Sequence, residues 1–195
     1  MKTRLKSWDE AAEKLAAGEL VVLPTDTLYG VVASAKNPAA VAKVYEIRRR
    51  EHSKPVITLL SDVDDLGIFQ IEIASRTKNV LKKIWPGPVS VVVAVNAPEL
   101  AYIHRGTNSI AFRVPRKPVL QDLIRRVGPV VAPSANLAGE TPATSVDEAY
   151  GYFGDAVWYL DEGPLEGAAS ALVDLRGEHP RVLRTAPGFD VNNLV

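Results

Sequence analysis

The sequence predicts a single α/β domain in which helices pack against a mixed β-sheet. Apolar runs of strand length recur along the chain, and segments with helix caps and helical spacing lie between several of them. No linker, repeat or low-complexity stretch divides the 195 residues, of which 47% are hydrophobic and 24% charged. A chain of this size and composition can bury a sizeable core, so we expect one domain over residues 1–195.

Helix starts are marked by caps and by prolines at the first helical position. Ser7-Trp8-Asp9-Glu10 has the form of a capping box, and Asn37-Pro38 places an N-cap before a proline. Trp85-Pro86-Gly87-Pro88 is typical of a helix stop, because proline cannot continue the helix. The predicted helices extend over residues 7–18, 37–48, 75–84 and 118–127, and two more begin at Ser61 and Ser145.

The predicted strands are short apolar runs. Residues 89–95 alternate little between apolar and polar side chains, which favours a strand buried on both faces. Glycine and proline separate the apolar runs near the C-terminus, so we expect only short strands there. The predicted strands are residues 20–24, 56–60, 89–95, 110–114, 130–132, 157–160, 171–175 and 182–183.

Composition excludes several kinds of site. The chain has no cysteine, which removes disulfides, cysteine zinc sites and thiol nucleophiles, and its three scattered histidines do not indicate structural zinc. The segment from Met1 to Leu5 lacks the apolar core of a secretory signal and no run of membrane-spanning length follows, so we expect a cytoplasmic protein without a membrane partner. Because the net charge is zero, any anion site requires local clusters of Lys and Arg.

The segment Arg48-Arg49-Arg50-Glu51-His52-Ser53-Lys54-Pro55 is such a cluster, at a predicted helix C-terminus. One interpretation is a solvated face on which cations interact favourably with the negative end of the helix. The alternative is a polyphosphate site, because adjacent arginines need an anion and guanidinium groups bind phosphate in bidentate fashion. The common glycine-rich nucleotide cradles and the Gly-x-Ser-x-Gly nucleophile turn do not occur, so catalysis here would rest on positive charge and positioning.

Polar side chains follow two of the predicted strands, where open α/β sheets present ligand-binding groups. Thr25-Asp26-Thr27-Leu28-Tyr29-Gly30 and Pro133-Ser134-Ala135-Asn136 could form only turns, or they could line a cleft with neutral donors and acceptors. Arg113 lies within an apolar strand and therefore needs a partner. An internal Asp or Glu would make it structural and a bound carboxylate or phosphate would make it functional; the sequence leaves both open.

Six segments occur in the order found in the YrdC/TsaC family, which the chain resembles over residues 20 to about 188. The resemblance implies a twisted α/β sheet with a large basic concave surface. The segments are Pro24-Thr25-Asp26-Thr27-Leu28-Tyr29-Gly30, Val44 through Lys54-Pro55, Trp85-Pro86-Gly87-Pro88-Val89, Phe112-Arg113-Val114-Pro115, Pro133-Ser134-Ala135-Asn136 and Leu183-Arg184.

The resemblance implies an enzyme, a nucleotidyltransferase that makes L-threonylcarbamoyl-AMP and pyrophosphate from L-threonine, bicarbonate and ATP. This reaction is the first step of the N6-threonylcarbamoyl modification of adenosine 37 in tRNA, so an RNA contact and downstream tRNA-modification proteins are further expected partners. Mg²⁺ is expected with ATP, held by phosphates and water, and we predict no protein ligand to a metal. The extra C-terminal domain of longer relatives is not expected.

The family motifs also imply site residues. Arg48 and Arg50 are expected to act in catalysis. The ATP side comprises Arg48, Arg50, Lys54, Ser134, Asn136, Thr144 and Arg184. The threonine side comprises Thr25, Arg113 and Ser170.

Four departures from the family pattern leave alternatives open. Arg48-Arg49-Arg50-Glu51 stands where the family has Lys-x-Arg before proline, and an arginine does not reproduce the compact charge of lysine. Lys117 replaces a histidine, Ala138-Gly139 replaces Ser-Gly, and Ala171 replaces a threonine. One alternative is a divergent, non-catalytic paralogue that binds RNA or nucleotide in the same cleft. Another is an enzyme that acts on a different amine.

Overall fold

The structure is a computed structural model that describes residues 3–51 and 54–194. A ten-stranded mixed sheet forms the frame of this part of the chain. His52 and Ser53, which belong to the predicted basic segment, lie outside these residues. The strands are β1 (Arg4–Leu5), β2 (Val21–Pro24), β3 (Tyr29–Ser34), β4 (Ile57–Leu59), β5 (Val89–Ala94), β6 (Ser109–Arg113), β7 (Val130–Val131), β8 (Trp158–Leu160), β9 (Ala171–Asp174) and β10 (Arg181–Arg184).

The strand order is β1-β8-β2-β3-β7-β4-β6-β5-β9-β10, with parallel and antiparallel pairs in the same sheet. The α-helices are α1 (Trp8–Ala16), α2 (Pro38–Ile47), α3 (Ser75–Ile84), α4 (Ala101–His104), α5 (Pro118–Val127) and α6 (Val146–Phe153). Short 3-10 helices extend over Val63–Phe69, Pro98–Leu100, Gly154–Ala156 and Val191–Leu194. The α/β class and the mixed sheet with flanking helices are confirmed.

The predicted caps are present at the helix starts. The Ser7 hydroxyl accepts a hydrogen bond from the backbone N–H of Glu10, and the Asn37 side chain accepts one from Ala40. The helix predicted to begin at Ser61 is instead a 3-10 helix with a capping box at Asp62. Strands β1 and β3 and helix α4 are not predicted from the sequence, because β1 and α4 are very short and β3 follows β2 after a tight polar turn.

Side chains of the sheet point alternately into two hydrophobic clusters, one on each face. On β2, Val22 belongs to the larger cluster, whereas Val21 and Leu23 pack into the smaller one beside α1 and α5. All four residues of β2 are buried, as its continuous apolar sequence predicts. None of the described helices is long and apolar enough to cross a lipid bilayer.

Two segments distant in sequence are joined where β2 and β3 meet. Gly30 forms a bridge with Ser134, the Val31 N–H donates to the Pro133 carbonyl at 3.0 Å, and the Ala135 N–H donates to the Tyr29 carbonyl at 2.8 Å. These bonds place the polar turn after β2 beside the Pro133-Ser134-Ala135-Asn136 segment.

The irregular segment 161–170 links β8 to β9 and packs closely against the same turn. A Cβ atom on Gly167 would lie 1.5 Å from the carbonyl oxygen of Thr27, a distance that no side chain could occupy. The Tyr29 hydroxyl donates to the Gly163 carbonyl at 2.7 Å and so fixes the start of the segment. This packing brings Ser170, at the end of the segment, to the edge of the polar turn.

We expect Gly167→Ala to lower the free energy of unfolding by at least about 2 kcal/mol, because the added methyl group requires the segment to move away from Thr27. Gly151→Ala is the matched control: it lies within α6, with no atom within 4 Å of the added Cβ, and should raise stability by about 0.5–1 kcal/mol. Urea unfolding of both variants tests the contact, and equal stabilities would contradict it.

Candidate active site

A cleft of about 200 Å³ opens where the polar turn after β2, the C-terminal end of α2 and the segment after β7 meet. Most of the site residues predicted from the sequence line it together. They are Thr25, Arg48, Arg50, Arg113, Ser134, Ser170 and Arg184. Arg48, Arg113 and Arg184 therefore converge on one hollow beside Ser134.

Three other predicted ATP-side residues do not line the cleft. The Lys54 side chain is 65% exposed, and its Nζ forms an ion pair with Glu51 at 2.8 Å. The Thr144 hydroxyl donates to Glu148 Oε2 at 3.1 Å, at the start of α6. Asn136 is buried behind the cleft wall, where it contacts Arg48.

Arg48, Ser134 and Asn136 form one hydrogen-bonded network. Arg48 Nε donates to the Asn136 carbonyl at 3.1 Å, and Arg48 Nη2 donates to Asn136 Oδ1 at 3.2 Å. The Ser134 hydroxyl donates to the same Oδ1 at 2.6 Å, while the Asn136 amide nitrogen donates to the carbonyls of Leu137 and Glu140. Asn136 thus fixes the orientation of the Arg48 guanidinium and the Ser134 hydroxyl toward the cleft.

Arg48 carries a buried positive charge that no carboxylate within the described part of the chain neutralises. Arg48 is the C-cap residue of α2 and is only 3% exposed, but it lines the cleft. Its Nη1 atom has no hydrogen-bond partner among the residues described. Burial, reinforced by repulsion from Arg50, lowers the pKa of Arg48 to about 10. An anion bound in the cleft would lie against the guanidinium group and offset this electrostatic penalty.

Arg50 is held in place by the backbone of its own segment. Its Nε donates to the Lys54 carbonyl at 3.0 Å and its Nη2 donates to the Pro55 carbonyl at 2.9 Å. The Tyr45 hydroxyl donates to the same Lys54 carbonyl at 3.2 Å, and the Arg105 guanidinium lies 4.1 Å from the centre of the Tyr45 ring. These contacts close the turn after α2 and keep a second guanidinium beside Arg48.

Thr25 organises the turn that forms one wall of the cleft. Its hydroxyl donates to the Leu28 carbonyl at 2.7 Å and accepts from the N–H groups of Thr27 and Leu28 at 3.1 and 3.2 Å.

Arg184 and Ser170 are hydrogen-bonded to each other in another part of the cleft lining. Arg184 Nε donates to the Ser170 carbonyl at 2.9 Å, and the Ser170 and Ser90 hydroxyls are 2.9 Å apart.

The structure answers the question that the sequence left open for Arg113. Its Nη1 is 2.6 Å from Asp26 Oδ1, so the arginine has an internal carboxylate partner and also lines the cleft. Asp26 and the cleft-lining Thr27 were not among the site residues predicted from the sequence, although both stand in the Thr25-Asp26-Thr27 motif. Over residues 3–51 and 54–194, no group of three or more His, Asp or Glu side chains is arranged to hold a metal ion.

Comparisons with known proteins give one matching family model and several similar proteins. The Sua5/yciO/yrdC family model, described as "Telomere recombination", matches residues 13–186. A Mycobacterium tuberculosis (strain CDC 1551 / Oshkosh) protein named "Putative threonylcarbamoyl-AMP synthase" is 37% identical over 180 residues, 91% of this chain and 82% of the relative. The threonylcarbamoyl-AMP synthase of Bacillus subtilis (strain 168) is 32% identical over 90% of this chain, which spans 52% of that relative.

A solved structure shares the fold. The crystal structure of Pyrococcus abyssi Sua5 complexed with L-threonine superimposes with a TM-score of 0.84 and 28% identity. The match covers 94% of this chain and 56% of that one.

Pyrophosphate is a direct probe of the Arg48 charge. We expect saturating pyrophosphate, at about a hundred times its Kd, to raise the free energy of unfolding of the wild type by about 2.7 kcal/mol. The increase should be lost in Arg48→Met and retained in Arg125→Met, whose arginine is paired with Asp122 on the surface. Thermal unfolding with and without the anion measures the increase, and an equal increase in both variants would show that the anion binds elsewhere.

Proposed function

The chain belongs to the Sua5/YciO/YrdC family, and we propose that it catalyses the formation of L-threonylcarbamoyladenylate and pyrophosphate from L-threonine, bicarbonate and ATP. The observation that carries the proposal is the cleft itself, in which Arg48, without a carboxylate partner among the described residues, lies with Arg50 beside the Ser134 hydroxyl. A site of this kind suits a polyphosphate, because it combines positive charge with unused N–H donors.

The chemistry requires charge stabilisation more than acid or base catalysis. The threonine amine and bicarbonate combine to a carbamate and water, and a carbamate oxygen then attacks the α-phosphorus of ATP. A new bond from oxygen to the α-phosphorus forms as the bond to the bridging oxygen breaks, and pyrophosphate leaves with the bonding electron pair. Negative charge increases on the phosphate oxygens in the transition state, which arginine N–H groups stabilise.

The contacts in the cleft support different roles for the site residues. We propose that Arg48 and Arg50 bind the phosphates, with Ser134 and Arg184 on the ATP side. Asn136 contributes through its hydrogen bonds to Arg48 rather than by direct contact.

The remaining proposals concern the threonine side, two residues outside the cleft lining and Mg²⁺. We propose that Thr25, Arg113 and Ser170 form the threonine side, since all three line the cleft. Lys54 would reach a phosphate by leaving its exposed ion pair with Glu51, and Thr144 would contact the nucleotide from the rim. We further propose that Mg²⁺ enters with ATP, carried by phosphates and water.

The proposed product serves the N6-threonylcarbamoyl modification of tRNA position 37, so the enzyme would act as a nucleotidyltransferase ahead of proteins that transfer the group to tRNA. The threonylcarbamoyl-AMP synthases among the relatives support this function and give no support to the non-catalytic alternative. The cytoplasmic location and an RNA contact stay predictions.

Purified protein with Mg²⁺ and ATP should release pyrophosphate only when both L-threonine and bicarbonate are present. Arg48→Met should lower kcat/KM by about tenfold to a hundredfold, the effect of one charged hydrogen bond, whereas Arg125→Met should match the wild type. Pyrophosphate release and mass detection of the adenylate give the readout. No release would contradict the proposal, and release unaffected by threonine would point to a different amine.

A further inference from the structure

Asp26 lies in the turn after β2, and both of its carboxylate oxygens are engaged. Oδ1 accepts from Arg113 Nη1 at 2.6 Å, and Oδ2 accepts from the backbone N–H of Arg116 at 2.7 Å. The side chains of Arg113 and Asp26 are only 5% and 7% exposed. The carboxylate therefore connects the β2–β3 turn to the segment that follows β6.

Arg113 retains donors that Asp26 does not use. Its Nη2 contacts the Thr27 hydroxyl at 3.3 Å, and its Nε has no hydrogen-bond partner within the ranges that the structure describes. Because a guanidinium group is planar and rigid, fixing Nη1 on Asp26 also fixes the direction of the remaining N–H groups. The arginine therefore lines the cleft in one orientation that Asp26 sets.

The arginines that line the cleft differ in whether a carboxylate neutralises their charge. Arg48 has no carboxylate partner in the described chain and is repelled by Arg50, whose charge the neighbouring Glu51 partly offsets, whereas Arg113 is neutralised by Asp26. Burial lowers the pKa of Arg113, Asp26 opposes this shift, and the nearby charge of Arg184 adds to it. Without Asp26, the unneutralised charge of Arg113 would add to that of Arg184, which lines the same cleft.

We propose that Asp26 is a positioning and specificity residue: it orients Arg113 toward a carboxylate of the amino-acid substrate and keeps Arg113 from binding phosphate. This inference rests on the proposed function. A carboxylate can be recognised by directed N–H groups of a neutralised arginine, while a polyphosphate, with its higher charge, is drawn to the uncompensated arginines. ATP would thereby place its phosphates at Arg48 and Arg50, and the amino acid would place its carboxylate at Arg113.

Asp26→Asn tests the inference, because it keeps the size of the side chain and removes its charge. We expect the KM for L-threonine to rise by about tenfold or more and the KM for ATP to change by less than about threefold. Pyrophosphate should also become a competitive inhibitor against threonine, which a loss of stability alone would not produce. Asp122→Asn, which removes an exposed carboxylate paired with Arg125, is the matched control and should match the wild type.

The single variant leaves a buried charge without its partner and could fail to fold. The double variant Asp26→Asn with Arg113→Gln removes both charges, so it should unfold at a higher temperature than Asp26→Asn and bind ATP while losing measurable threonine binding in calorimetry. Threonine binding retained by the double variant, or equal changes in both KM values without pyrophosphate competition, would overturn the inference. A wild-type protein that binds no threonine and releases no pyrophosphate would instead contradict the proposed function.

Discussion

The positive charge of Arg48 at the end of α2 is the constraint on which the site depends. Taking a guanidinium group out of water is unfavourable unless an opposite charge compensates it, and the described residues supply carbonyl and hydroxyl partners but no carboxylate. The fold holds this charge in place through Asn136, which is itself fixed by two backbone carbonyls. The protein therefore maintains an unfavourable charge that a bound polyphosphate would neutralise.

The sheet explains how residues far apart in sequence meet at this charge. The Gly30–Ser134 bridge joins the turn after β2 to the segment after β7, and Gly167 lets the segment before β9 approach the Thr27 carbonyl. The ion pair between Asp26 and Arg113 adds the end of β6. Each junction is made by backbone contact or by a buried ion pair, so the cleft is built into the fold before any ligand binds.

Local signals in the sequence predicted the helices best. Helix α5 begins and ends at the predicted residues, because Pro118 and the apolar spacing that follows it are independent of the rest of the chain. The cleft-lining arginines were predicted from the family motifs together with their unusual positions. The partner of Arg113 could not be predicted, since Asp26 is 87 residues away and several acidic side chains were equally compatible with the sequence. The position of Asn136 behind the wall likewise depends on tertiary packing.

A crystal structure with a non-hydrolysable ATP analogue and L-threonine bound together would show directly whether the charge of Arg48 binds phosphate. We expect a phosphate oxygen within hydrogen-bond distance of the Arg48 guanidinium, which lines the cleft, and the threonine carboxylate at Arg113. Phosphates bound away from Arg48, or threonine outside the cleft, would contradict it.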